Sequence, residues 1–322
     1  MKNADTSHDG SLTLSLSGDV MTGRGIDQVL PHSVDPVLFE RYVKSARRYV
    51  DLATRHSGAI PNDVTFDYVW GDALMVLEKM GPDVSIINLE TAVTTSDNYW
   101  KKKGIHYRMH PGNTPLLTEA GIDVCVLGNN HILDWGYKGL DETLNTLNKH
   151  GISVVGAGMD ADSTATPAVI ETKNGRLLVF SYADLSAGVP VSWKAGEGSP
   201  GVNLLENLRQ KGIKQVKGDI ESFRREGDLV LVSIHWGGNW GYDVPKLQQK
   251  FVHQLIDFGF VDMIHGHSSH HPKGIEVYRD RLVLYGCGDL INDYEGIAGH
   301  EEYRGELSLL YFPTLVSLPL NS

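Results

Sequence analysis

Short apolar runs rich in β-branched residues recur along the chain, with helical patterns between them. Residues 12–17 alternate apolar and polar side chains, which predicts a strand with one buried face. Continuous apolar runs predict further strands at 84–87, 124–127, 152–155, 177–180, 229–234, 260–264 and 282–285. Residues 66–80 carry apolar side chains at helical spacing and stop at Gly81-Pro82, so one helix is expected there. Tyr137, Leu140, Leu144 and Leu147 mark one face of a second helix, ended by Gly151. Phe251, Leu255, Ile256 and Phe258 mark a third, ended by Gly259. Strands alternating with helices predict a layered α/β fold. No fixed-period repeat and no low-complexity linker divides the chain, so residues 1–322 read as a single domain. The Gly-, Pro- and Ser-rich stretch 187–201 reads as a long loop, either a lid or a surface excursion.

The polar residues that follow the strands carry the chemical signal. After the first strand comes Gly18-Asp19-Val-Met-Thr-Gly-Arg24, and after the second Asn88-Leu-Glu90-Thr. Gly128-Asn129-Asn130-His131-Ile-Leu-Asp134 and His235-Trp236-Gly-Gly-Asn239-Trp240 follow later strands. A run of four histidines, His265, His267, His270 and His271, follows another, and Gly286-Cys-Gly-Asp289-Leu-Ile-Asn292-Asp293 follows the last. Parallel strands place their C-terminal ends on one edge, so these motifs can converge. Together they offer Asp, Glu, Asn and His but no thiolate. That donor set suits a hard or borderline divalent ion: Mn, Fe, Zn, Mg or Ca. Each residue also has a structural alternative. Asp19 and Glu90 can cap turns or helices, Asn129 and Asn130 tolerate positive φ, and His235 can be a packed core residue. Asp134 can orient His131 from behind.

Composition removes several classes. Over 322 residues the apolar share is 41%, the charged share 21% and the formal charge −11, which is an ordinary globular balance. No basic block offsets that charge, so nucleic acid is not an expected partner. Lys101-Lys102-Lys103 sits in a polar stretch and reads as a solvated loop. Cys125 and Cys287 lie in apolar runs and read as small buried hydrophobes. The first ten residues contain no apolar signal core. No stretch approaches the roughly 20 apolar residues that span a bilayer, so no membrane anchor and a cytoplasmic location are expected.

The motifs from Gly18 to Arg24, Asn88 to Thr91 and Gly128 to Gly136, with His235-Trp236-Gly and Gly-Ile-Glu-Val-Tyr at 274–278, resemble those of the capsule-synthesis protein CapA family. The resemblance runs over about residues 12–312. That family is similar to the calcineurin-like metallophosphoesterases, which implies a central β-sandwich flanked by helices. It also implies roles. Asp19 matches the first metal-binding aspartate, and Glu90 stands where the superfamily puts a bridging Asp. Asn130 matches a metal ligand and His131 a substrate-contacting histidine. His235 matches the next metal histidine. His267 and His270 resemble the last Gly-His-x-His element, stretched by one residue. There are departures. Met21 stands where a histidine is expected, Glu90 replaces Asp, and Asn239 stands where a Glu often follows His-Trp-Gly.

Three readings follow. Some CapA-like proteins are similar to lasso-peptide epimerases, which implies inversion of a peptide or polyglutamate α-carbon. A metal on the adjacent amide oxygen would stabilise the enolate. Asp19 with His131, His270 or His300 would move the proton. Glu90, Asn130, His235 and His267 would hold the metal, and Arg24, Trp236 and Asn239 would contact substrate. The second reading is a metal-dependent phosphoesterase. The third is a non-catalytic component of capsule or poly-γ-glutamate synthesis. Partner proteins of peptide biosynthesis fit the first.

Overall fold

The computed structural model describes residues 11–173 and 175–316. In chain order its main strands are β1 (Ser11–Val20), β2 (Val84–Leu89), β3 (Val124–Val126), β4 (Ser153–Val155), β5 (Ala168–Thr172) and β6 (Gly175–Ala183). They continue with β7 (Leu229–His235), β8 (Met263–His267), β9 (Ile275–Tyr278), β10 (Arg281–Leu284), β11 (Asp289–Ile291) and β12 (Thr314–Val316). One sheet has the order β11-β1-β2-β3-β4, all parallel, with β12 antiparallel to the start of β1. The other has the order β9-β10-β8-β7-β6-β5. Its inner strands are parallel and its two edge strands antiparallel.

The two sheets pack face to face. Leu12, Leu14 and Leu16 take every second position of β1 and so share one face. They join Ile86, Val124 and Val126 against Val179, Leu231 and Met263 of the second sheet. Each fully buried aliphatic side chain contributes about 1.5–3 kcal/mol. Helix Gly136–Lys149 covers the outer face of the first sheet through Leu140, Leu144 and Leu147. Helices Gln210–Phe223 and Lys246–Asp257 cover the second through Val216, Phe251 and Leu255. The expected β-sandwich flanked by helices is what the chain forms. Cys125 and Cys287 are free and buried, as read from their apolar surroundings. No helix among the described residues is long and apolar enough to cross a membrane.

Three expectations need correction. The helix expected over 66–80 is a 3-10 turn, Tyr68–Trp70, followed by a helix at Ala73–Met80. Gly71, at φ 51°, breaks the run. Trp70 is buried there and donates its indole N–H to the Leu116 carbonyl at 2.9 Å, so a tertiary anchor overrides the periodicity. The 187–201 stretch is no simple surface excursion. Trp193 is fully buried in it and packs edge-on to Trp100 at 5.4 Å. Lys103 does not sit in a solvated loop: its side chain is 14% exposed and pairs with Asp134 at 2.6 Å.

Candidate metal centre

The C-terminal ends of both sets of parallel strands meet at one edge of the sandwich. Asp19 is the last residue but one of β1, and Asn88 and Glu90 lie at the end of β2. Asn129, Asn130 and His131 follow β3, His235 ends β7, and His267 ends β8. Asn88 donates to Asp19 Oδ1 at 2.7 Å, and Asn129 donates to Asn88 Oδ1 at 3.1 Å. These amides fix the carboxylate from behind. His235 Nδ1 lies 2.8 Å from His267 Nδ1, and His235 Nε2 lies 3.2 Å from Asn130 Oδ1. Ser233 holds the far nitrogen of His267 at 2.8 Å, leaving His267 Nδ1 3.9 Å from Asp19. His131 Nε2 and His235 Nε2 stand 3.6 and 3.8 Å from Glu90 Oε1.

The electrostatics of this edge favour a cation. Burial, then the charge of Asp289, pushes the Asp19 carboxyl up to about 7. Burial, then the charge of Asp19, pushes Glu90 well above the usual carboxylate range. Asp19 Oδ2 and Glu90 Oε2 are buried without a hydrogen-bond donor. Burial holds His235 and His267 well below the usual histidine range, hence neutral and free to donate a lone pair. Unpartnered buried carboxylate oxygens beside neutral imidazoles are the environment a divalent ion satisfies. Two groups have ligand atoms all within 4.8 Å of one another: Asp19, His235 and His267, and Asp19, His270 and Asp289. These residues fit a metal. Met21, buried with its sulfur 3.8 Å from Tyr294 Oη, adds only a soft thioether.

Two Asp–His couples flank the carboxylates. His270 Nδ1 lies 2.9 Å from Asp289 Oδ1 and 3.9 Å from Asp19 Oδ2. Burial lowers its pKa, but the charge and hydrogen bond of Asp289 outweigh that and raise it. Its Nε2 faces Asn239 at 3.1 Å and Tyr294 at 3.3 Å. His131 Nδ1 lies 2.6 Å from Asp134 and 3.0 Å from Lys103. Burial, then Lys103, lowers His131 to about 4.

A cavity of about 750 Å³ opens onto His270, Asn239, Trp240 and Tyr294. Arg24 also lines it, but its guanidinium is engaged by Asp293, Glu40 and Tyr49. His300 lines it too and stacks on Trp240 at 3.9 Å, with 8° between the rings. Trp236, expected to contact substrate, instead packs in the outer core of the second sheet and donates to the Tyr285 carbonyl at 3.0 Å. The strand alternates, so His235 and its neighbour face opposite ways. His265 bonds Ser233 and the Ser17 carbonyl, and His271 bonds the Pro272 carbonyl, so both serve as supports.

Comparison with known proteins agrees with the motifs. The family model described as bacterial capsule synthesis protein PGA_cap matches residues 13–294. The chain belongs to that family. A probable polyglutamine synthesis accessory protein of Mycobacterium tuberculosis is 48% identical to this capsule-synthesis-family chain, over 93% of the chain and 79% of that protein. The PGA biosynthesis protein CapA of Bacillus subtilis is 26% identical over 89% of the chain and 65% of its own length. The capsule biosynthesis protein CapA of Bacillus anthracis is 27% identical over 88% and 60%. Within this capsule-synthesis-family chain, Lys103 was read as part of a solvated loop, and Asp289 stood in the last strand-end motif without a role of its own. The Gly-x-Gly-Asp sequence that opens β11 echoes Gly18-Asp19 and was a further signal for Asp289.

Proposed function

We propose that this chain is a metal-dependent acid–base enzyme that inverts the α-carbon of a residue in a peptide or polyglutamate. The observation that carries this reading is the pair of Asp–His couples at the two ends of one buried carboxylate pair. Asp289–His270 stands beside Asp19, and Asp134–His131 beside Glu90. The relatives' names, which refer to polyglutamine synthesis and PGA biosynthesis, support a substrate of amide-linked residues.

Asp19, His235 and His267, with Glu90 and Asn130 beside them, would hold the divalent ion, whether Mn, Ca, Mg, Fe or Zn. Such an ion supplies Lewis-acid stabilisation of negative charge on the substrate amide oxygen. Asp19 belongs to both groups of side chains at ligand distance, so its part is to hold the ion. One imidazole of the two couples removes the α-proton, and the C–H electron pair moves onto the adjacent carbonyl. The other imidazole returns a proton to the opposite face. The two exchange roles for the reverse direction. Asn239 and Tyr294 steady His270 Nε2 at the cavity.

The test is incubation of peptide and poly-γ-glutamate substrates with the protein and Mn in D2O. The expected result is one solvent deuterium at the α-carbon with inverted configuration. Phosphate release from aryl phosphates without any exchange overturns the reading. That phosphoesterase alternative has one observation in its favour, since Asp19 is common to both ligand groups and two-ion hydrolytic centres share a ligand in this way. Neither activity and no metal uptake would leave a non-catalytic part in polymer synthesis, with partner proteins of that pathway.

A further inference from the structure

A second cavity of about 360 Å³ adjoins the first. Tyr49, Glu295, Gly305 and Glu306 line both, so the two read as one groove. The second cavity is walled by apolar side chains, including Ile26, Val50, Ala53, Ile60 and Trp70. Its charged lining residues are all acids: Asp293 and Glu306, which pair with Arg24 and Arg304, and Glu295. The first cavity has two guanidinium groups, Arg24 buried between two carboxylates and Arg304 exposed at the rim with one Nε contact. Arg24 pairs with Glu40 and Asp293, and Arg304 pairs with Glu306. Glu295 and Glu301 add further negative charge there.

A polyanion needs cations that are free to meet it, because a carboxylate taken from water without a partner is penalised heavily. Among the described residues, neither cavity lining has a lysine or arginine without a carboxylate partner. Apolar walls with an acidic rim complement the opposite chemistry.

We infer that the groove takes an extended peptide segment that places an apolar side chain in the second cavity and carries neutral or basic neighbours, and that it does not take polyglutamate. The inference rests on the proposed peptide chemistry and narrows its substrate class.

The experiment measures binding of two fluorescein-labelled probes to the full chain by anisotropy. One is a short peptide of leucine, serine and lysine, and the other is γ-linked oligoglutamate of equal length. The leucine–lysine peptide is expected to bind about ten-fold tighter or more, a difference of about 1.4 kcal/mol. Ala53→Trp fills the second cavity from helix Arg47–Ser57 and should weaken that peptide several-fold with unchanged circular dichroism. Ala53→Ser should leave binding intact. Tighter binding of the oligoglutamate, no saturable binding of either probe, or indifference to Ala53→Trp overturns the inference. Binding is read without turnover, so this result stands apart from the deuterium-exchange test.

Discussion

His270 Nδ1 and Asp289 Oδ1 are 2.9 Å apart, although His270 follows a strand of the second sheet and Asp289 lies in the first. The contact joins the two halves of the sandwich at the edge where the metal-type residues collect. Asp289 reaches this point because its strand pairs in parallel with β1, with Asp289 opposite Asp19. One carboxylate therefore raises Asp19 by its charge and at the same time orients His270.

Asp289→Asn should keep the shape of that contact and remove its charge. Proton transfer by His270 should then slow by about 10- to 100-fold, the usual effect of losing a residue that orients a functional group. The measurement is the deuterium-exchange rate, with circular dichroism to confirm the fold. An unchanged rate would separate Asp289 from the chemistry.

Glu90 and Asp19 repel each other in a buried site, and that strain should appear in stability. Burial and Asp19 favour the protonated Glu90 carboxyl in the metal-free protein, and taking up that proton at neutral pH costs stability, so Glu90→Gln should raise the melting temperature of the metal-free protein. In the wild type, Mn should raise the melting temperature by binding the folded state alone. In Glu90→Gln that increment should shrink. A thermal-shift series with and without Mn checks both signs. Equal increments in the two proteins would remove Glu90 from the ion's surroundings.

Much of this site was legible because parallel strands gather their C-terminal ends on one edge. Asp19, Glu90, Asn130, His131, His235, His267 and His270 lie together for that reason. Asp289 was harder to place, because its position opposite Asp19 depends on register, which no local pattern encodes. Lys103 was misread because a lysine in a polar stretch becomes buried only through distant partners, here Asp134 and His131. Trp236 was misread because sequence adjacency to His235 outweighed the alternation of the strand. The helix at 66–80 failed at Gly71, where backbone conformation rather than periodicity decides the path.

Lys103 pairs with Asp134 Oδ1 at 2.6 Å and lies 3.0 Å from His131 Nδ1, with little exposure. Lys103→Met keeps the aliphatic stem and removes the charge that holds the buried Asp134 carboxylate down. Breaking a buried pair from one side costs about 3 kcal/mol or more. The Tyr107 backbone N–H, 2.7 Å from Asp134 Oδ2, and His131 remain to offset part of it. Urea denaturation should show a lower midpoint with an unchanged slope. A loss below about 0.5 kcal/mol would return Lys103 to the class of ordinary surface residues.

Gly18 tests whether the site depends on close approach of backbone strands. A Cβ at this position would stand 1.8 Å from the Gly288 carbonyl oxygen. That same oxygen accepts the Asp19 backbone N–H at 2.9 Å. Gly18→Ala must therefore push β11 away from β1, carrying Asp289 away from Asp19 and His270. The expected result is a stability loss of about 1–3 kcal/mol from overpacking, together with weaker Mn binding by calorimetry. Ser15→Ala, on the same strand but away from the metal-type residues, should leave Mn binding unchanged. If Gly18→Ala lowers stability and yet binds Mn as the wild type does, the spacing of these two strands does not set the geometry of the centre.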